Sequence, residues 1–278
     1  NMFVAAGFNS IGIQSAGGAG KVLADWIVDG RPPMDLWDVD IRRMMPFQRN
    51  ENYLRDRTVE TLGLLYEMHW PFRQPATSRN VRLSPVHDRV KALGAVFGET
   101  AGWERANWYA PQGVKAEYEY SYGRQNWFEH SGVEHQAVRN GVALFDQSSF
   151  AKFQVEGKSA LKLLNQISGN NVDVKVGRVV YTQWLNDRGG IEADLTITRM
   201  GERKFMVVSA AATQIRDIDY LRKMIDRLGL QDEVTVVDVT SSYATFSVMG
   251  PKSREFLQSL TSTDMSHGAF PFATSKSI

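Results

Sequence analysis

The chain has 278 residues, of which 43 % are apolar and 23 % charged, with a formal net charge of +1. At about 100–200 residues per domain this length implies about two domains, and the composition is too apolar for disorder. The balance of 32 basic against 31 acidic residues argues against nucleic-acid binding or a basic membrane surface. The absence of cysteine excludes disulfides, thiolate metal sites and cysteine nucleophiles within these residues.

No stretch approaches the ~18 uninterrupted apolar residues of a membrane span. The first residue is Asn1 rather than methionine, and the run Phe270 to Ile278 stops without a closing element. The chain therefore reads as an internal piece of something longer, and carries no targeting segment to interpret.

From Met2 to Gly30 the pattern predicts a strand (Met2 to Gly7), a glycine-rich turn (Ser10 to Gly20) and a helix. That helix spaces Val22, Leu23, Trp26 and Ile27 along one side and stops at Gly30, a C-terminal cap. After a break at Pro32-Pro33, a long helix is expected from about Asn52 to His69, with Leu54, Leu62, Leu65 and Tyr66 on its apolar side. Residues 70–125 combine helix breakers with many aromatics and read as an ordered connector, since flexible linkers are aromatic-poor.

From about Glu134 the texture becomes α+β. Strands are expected at Phe150 to Glu156, Arg178 to Leu185, Ile191 to Arg199, Lys204 to Ser209, Glu233 to Val239 and Tyr243 to Met249. Helices are expected at Ser159 to Ile167, Thr213 to Leu228 and Pro251 to Leu260. The Asn186-Asp187-Arg188-Gly189-Gly190 run is a hairpin signal.

Two segments carry candidate chemistry. A strand that feeds glycines into a helix start exposes unpaired N–H groups at the positive end of a helix dipole, able to hold phosphate or an electron-rich ring edge. Gly17-Gly18-Ala19-Gly20 is neither G-x-G-x-x-G nor a Walker A loop, so tight strand–helix packing stands beside that reading. On the second hairpin strand, alternation puts Ile191, Ala193, Leu195 and Ile197 on one face and Glu192, Asp194, Thr196 and Thr198 on the other. Aspartate is disfavoured inside strands, so Asp194 reads either as a cavity carboxylate that accepts from or donates to a ligand nitrogen, or as a solvated surface charge. The five histidines are scattered without metal-ligand spacing, and no metal site is expected. The aromatic run Tyr118 to Phe128 contains a single basic residue, Arg124, and reads as packing between domains rather than base stacking.

The quoted segments, in order, resemble the middle of the flavin- and folate-dependent dimethylglycine and sarcosine dehydrogenases. Those proteins join a D-amino-acid-oxidase-like flavoprotein half to a half resembling the aminomethyltransferase (T-protein) of the glycine cleavage system. Ala6 to Lys21 with Leu23 to Trp26 resembles the last flavin-contacting loop and its helix. Thr77 to Arg79 with Ser84 to Arg89 resembles the exit from the small central domain. Glu134-His135 and Leu144 to Phe153 resemble the opening of the folate domain. Tyr181 to Asn186 with Gly189 to Thr196 resembles its folate hairpin.

The resemblance implies an α+β fold in three parts. These are residues 1–35 ending an FAD-binding domain, 36–90 a small central domain and 91–278 an aminomethyltransferase-like folate domain. It implies FAD contacts at Ser10, Ile11, Gly12, Ile13, Gln14, Gly17 and Gly18, and tetrahydrofolate contacts at Tyr181 and Asp194, with Asp194 catalytic. The T-protein itself usually has two adjacent aspartates there, where this chain has Ala193-Asp194. The implied activity is flavin oxidation of a methylated glycine, dimethylglycine or sarcosine, followed by transfer of the one-carbon unit to tetrahydrofolate. The implied location is the cytoplasm of a bacterium or the mitochondrial matrix. The family's dinucleotide fingerprint, its flavin-linking histidine and the later half of the folate domain lie outside the chain. The regulatory subunit of pyruvate dehydrogenase phosphatase, a binding protein, resembles these enzymes throughout, and a stand-alone aminomethyltransferase is a further alternative.

Overall fold

The structure is a computed structural model that describes residues 2–278. The chain divides into two compact units, the first ending at Met68 and the second running His69–Ile278.

The first unit is helical. Its residues 2–7 form no strand, contrary to expectation, because the described residues of this unit include no other strand to complete a ladder. The expected turn is also shorter. Asn9 (φ 37°) and Ser10 (φ 68°) turn the chain in left-handed backbone, and Ile11 N–H donates to the Phe8 carbonyl at 3.0 Å. Helix α1 (Gly12–Asp29) starts at once, so Gly12, Gly17, Gly18 and Gly20 are helical rather than part of a loop. Each glycine costs a helix about 1 kcal/mol relative to alanine, which intervening Ala16, Ala19 and Lys21 partly offset. Gly30 caps α1 in the left-handed conformation expected of it (φ 71°).

Helix α2 (Glu51–Leu64) is shorter than anticipated. Asn50 caps its start by accepting from the N–H groups of Asn52 and Tyr53, and it ends just past Gly63. The buried residue of α2 is Tyr53, in edge contact with Phe47, whereas Leu54, Leu62, Leu65 and Tyr66 are exposed.

The second unit opens with structure that periodicity did not disclose. A short helix α3 (His87–Ala92) precedes a hairpin of β1 (Ala95–Thr100) and β2 (Trp103–Tyr109). Trp108 is fully buried with Val96 and Ala110, and Tyr118 and Trp127 pack against them, so the aromatic run serves the core of this unit. His87 stacks on Phe97 and His130 on Trp108. Arg79 forms an ion pair with buried Glu104 of β2, which also accepts the Asn80 N–H at 2.8 Å. Burial alone would raise the Glu104 carboxyl; the Arg79 and Asn80 hydrogen bonds outweigh it and hold the group below the usual carboxylate range.

Helix α4 (Phe128–Asn140) leads to β3 (Ala143–Asp146), β4 (Ala151–Glu156), helix α5 (Ala160–Ile167), β5 (Val179–Leu185), β6 (Ile191–Gly201) and β7 (Lys204–Ser209). Helix α6 (Gln214–Arg227), β8 (Thr235–Asp238), β9 (Phe246–Met249) and α7 (Ser253–Gln258) follow. Strands β5-β6-β7-β4-β8 form an antiparallel sheet, while β3 pairs with β9. Alternate residues Phe153 and Val155, Val180 and Trp184, Leu195 and Ile197, and Phe205 and Val207 meet Leu163, Leu164 and Ile167 of α5 and Ile218, Leu221 and Ile225 of α6. Full burial of one such side chain contributes about 1.5–3 kcal/mol. The buried side of α6 also includes Gln214 and Asp217, which the apolar pattern left out. Burial raises the Asp217 carboxyl, against which the Thr213 hydroxyl donates to it at 2.7 Å.

The turn from β4 into α5 requires glycine. Gly157 has φ 141°, and a Cβ there would stand 2.0 Å from the Glu233 carbonyl oxygen. Gly157→Ala is expected to destabilise the second unit by roughly 2–3 kcal/mol, seen as a lower urea midpoint, whereas Gly268→Ala, in open space with ordinary φ, should stay within about 0.5 kcal/mol.

Candidate functional site

In the first unit, the segment Val4 to Ile11 and one side of α1 enclose a cavity of about 780 Å³. Ser10, Ile11 and Gly18 line it, together with Val22, Trp26 and Tyr66. Gly12, Ile13, Gln14 and Gly17 are not on its wall, and Ile13 is 99 % exposed. The helical continuation through Gly12 is the reason, because successive residues of a helix point to different sides.

Ser10 is fixed by the Tyr66 hydroxyl, which donates to its Oγ at 3.0 Å. No side chain caps the first turn of α1, leaving its leading N–H groups at the positive end of the dipole. A Cβ added at Gly18 meets nothing within 4 Å, so the absence of a side chain there keeps the wall flat. Apolar walls, a flat patch of helix and uncapped donors suit a planar ring with an electron-rich edge.

In the second unit, Asp194 lies on β6 directly opposite Gln183 of β5, on the face turned away from α5 and α6. The expected alternation holds for Ala193, Leu195 and Ile197, which are buried. Ile191 is exposed, because the register shifts at Trp184/Leu185 just before the turn. Asp194 is exposed, and Gln183 Nε2 donates to its Oδ1 at 3.3 Å. Tyr181, 60 % exposed, sits two residues along β5 on the same face. A hydrogen bond from the Tyr181 hydroxyl to Asp194 holds that phenol above the usual tyrosine range, with small additional contributions from desolvation and the Asp194 charge. A carboxylate, an amide and an aromatic ring thus share one open face.

The hairpin carrying them is held from behind by α6. Tyr220 donates its hydroxyl to the Leu185 carbonyl at 2.8 Å, and Arg216 Nη2 donates to the Glu192 carbonyl at 2.6 Å. Arg227 pairs with Asp187 at 2.7 Å, and Asn186 closes the turn by accepting the N–H of Gly190. Burial first, then the nearby Glu192 and Asp187 charges, push the Tyr220 phenol up to about 12. Sequence reasoning missed Gln183 and the α6 clamp. Gln183 could have been found by counting alternate positions from Tyr181 on the outward face.

Residues 86–278 match the family described as "GCVT N-terminal domain", and residues 29–84 match "FAD dependent oxidoreductase central domain". The chain belongs to the GCVT family, joined to a flavoprotein central domain. It is 49 % identical over 97 % of its length to 4-methylaminobutanoate oxidase (formaldehyde-forming) of Paenarthrobacter nicotinovorans, covering 32 % of that protein. It is 32 % identical over its whole length to mitochondrial dimethylglycine dehydrogenase of Mus musculus, covering 31 %. It is likewise 33 % identical over 97 % of its length to the mitochondrial pyruvate dehydrogenase phosphatase regulatory subunit of the same organism, covering 31 %. The chain spans about a third of the length of these relatives. Among solved structures, glycine cleavage system aminomethyltransferase T of Bartonella henselae superposes with a TM-score of 0.53 at 25 % identity, over 65 % of this chain and 44 % of that one. The fold expected from the resemblance, a T-protein-like α+β unit following part of a flavoprotein, is the fold of this family. No helix among the described residues is long and apolar enough to cross a membrane.

If the Tyr181 hydroxyl leans on Asp194, then Asp194→Asn should return its titration toward the ordinary tyrosine range. The Cζ resonance of Tyr181 in 13C-tyrosine-labelled protein would then show a lower alkaline midpoint; an unchanged midpoint would separate the two groups.

Proposed function

We propose that the full-length protein oxidises the N-methyl group of a small amino acid with FAD and passes the one-carbon unit to tetrahydrofolate. The observation that carries this reading is the succession, in one chain, of an FAD dependent oxidoreductase central domain and a GCVT domain. Dimethylglycine and sarcosine are the proposed substrates, and the similarity to 4-methylaminobutanoate oxidase extends the class to longer methylamino acids.

Ser10, Ile11 and Gly18 would hold the flavin from the cavity wall, with the uncapped start of α1 facing its electron-rich edge. Tyr181 and Asp194 would hold the folate, Tyr181 as an aromatic surface and Asp194 as acceptor for ring N–H groups. The two cofactors supply electron acceptance and one-carbon capture; protein groups orient them. Asp194 would accept a proton at its carboxylate as the one-carbon unit is captured, a role open to a carboxylate on an exposed face.

In the full-length protein, anaerobic mixing with sarcosine, dimethylglycine and 4-methylaminobutanoate should bleach a bound flavin with at least one of them. A protein that binds no flavin would instead fit the regulatory-subunit reading. Gly18→Val projects a side chain into the cavity and should lower flavin occupancy without unfolding α1, as read from the 450 nm absorbance per chain and circular dichroism. Asp194→Asn should leave flavin reduction nearly unchanged and slow methylenetetrahydrofolate formation by about 10²–10⁴, with free formaldehyde appearing in its place. Methylenetetrahydrofolate at the wild-type rate would make Asp194 a surface charge.

A further inference from the structure

Asp194 is carried by β6, yet the side chains that hold its carboxylate stand on β5. Thr182 and Trp184, which flank Gln183, are buried, and so are Ala193 and Leu195, which flank Asp194. Both backbones are therefore pinned from the core side, and Gln183 and Asp194 stand directly opposite one another on the outward face. The Gly169 N–H, from outside the hairpin, donates to the Gln183 carbonyl at 2.8 Å and fixes this point of β5 further.

A carboxylate on an open face is free to sample several rotamers. Here two uncharged donors converge on it from one strand. Gln183 Nε2 donates to Oδ1 at 3.3 Å, and the Tyr181 hydroxyl donates from two residues along β5. The Gln183 amide also donates to the Tyr181 oxygen, so the three side chains close a ring of hydrogen bonds. Among the described residues no cation pairs with Asp194. The chemical type of the cross-strand donor matters. A lysine or arginine opposite Asp194 would grip the carboxylate harder, but would favour its ionised form and so oppose proton uptake. A glutamate there would repel it. A neutral amide fixes the carboxylate with less opposition to proton acceptance.

We propose that Gln183 is a positioning residue for Asp194, holding the carboxylate in the orientation from which it accepts a proton during one-carbon capture. The assignment rests on the proposed role of Asp194 and gives Gln183 no contact with the reacting atoms. Gln183→Met keeps the length of the side chain and removes the amide; Gln183→Leu is the second variant should the first not fold, as judged by circular dichroism. One readout needs no ligand. In the structure Asp194 raises the Tyr181 phenol, and Gln183 lowers it by a smaller influence. If the amide only donates to Tyr181, its removal raises the alkaline midpoint of the Tyr181 Cζ resonance. If it positions Asp194, its removal also lets the carboxylate swing away, and the midpoint falls toward the ordinary tyrosine range. A fall is expected; a rise or an unchanged midpoint would overturn the proposal.

The other readout is a double-mutant cycle on methylenetetrahydrofolate formation by the full-length protein. Gln183→Met should slow that step by about tenfold or more, and Gln183→His, which returns an N–H of similar reach, should recover part of the loss. On an Asp194→Asn background Gln183→Met should slow it no further, because the group it positions has already lost its function. Losses that multiply would overturn the positioning role alone. So would a wild-type rate for Gln183→Met beside a slow Asp194→Asn. A wild-type rate for Asp194→Asn would instead remove the proposed role of Asp194, and this one with it.

Discussion

A slip of one residue in β6 would exchange Leu195 for Asp194 in the interior, because side chains alternate across a sheet. The apolar layer made by α5 and α6 forbids that slip, since it would place a carboxylate against Leu163, Leu221 and Ile225. Every outward feature of the hairpin depends on this constraint. With Leu195 and Ile197 pinned inward, Asp194 faces outward opposite Gln183, and Tyr181 follows from the pairing of β5 with β6. Packing on one face of the sheet therefore dictates chemistry on the other.

Helix α6 adds a second level of control. It buries Ile218, Leu221 and Ile225 beneath the sheet while Arg216, Tyr220 and Arg227 reach the backbone and turn of the β5–β6 hairpin. One helix thus supplies both the packing that sets the register and the polar contacts that fix the hairpin's end. Without the latter, a long two-stranded arm would twist freely beyond its last core residue, since an isolated hairpin is only marginally stable in water.

Legibility in the sequence followed period and turn chemistry. Lys204–Ser209 is a strand over the full length anticipated, and β6 and α6 lie within a residue or two of their expected bounds, because both have strong periodicity bounded by turn signals. The start of the chain misled. Four glycines within nine residues read as a loop, yet the turn is made by Asn9 and Ser10 and the glycines are absorbed into α1. The hairpin of β1 and β2 escaped notice because Trp103, Trp108 and Tyr109 resembled connector aromatics and its turn, Ala101-Gly102, is very short. Of the flavin-side candidates, Ser10, Ile11 and Gly18 share a cavity and the other four do not. The turn expected to carry contacts at Ser10 to Gln14, Gly17 and Gly18 is helical from Gly12, and a helix presents only part of its circumference to any one space.

The Arg79–Glu104 pair gives the junction ahead of the β1–β2 hairpin its own dependence on acidity. Glu104 holds two things at once, the guanidinium of Arg79 and the backbone of Asn80. Since its folded-state pKa is depressed, its contribution is complete above the unfolded carboxylate value and is lost as pH falls through the folded one. Protonation then frees side chain and backbone in one event, whereas Asp217 on the buried side of α6 is raised by burial and loses nothing when it takes up a proton. Acid below the ordinary carboxylate range would therefore loosen the molecule first by peeling this segment from β2. A protease added at low pH would find its first cleavage sites near residues 74–82.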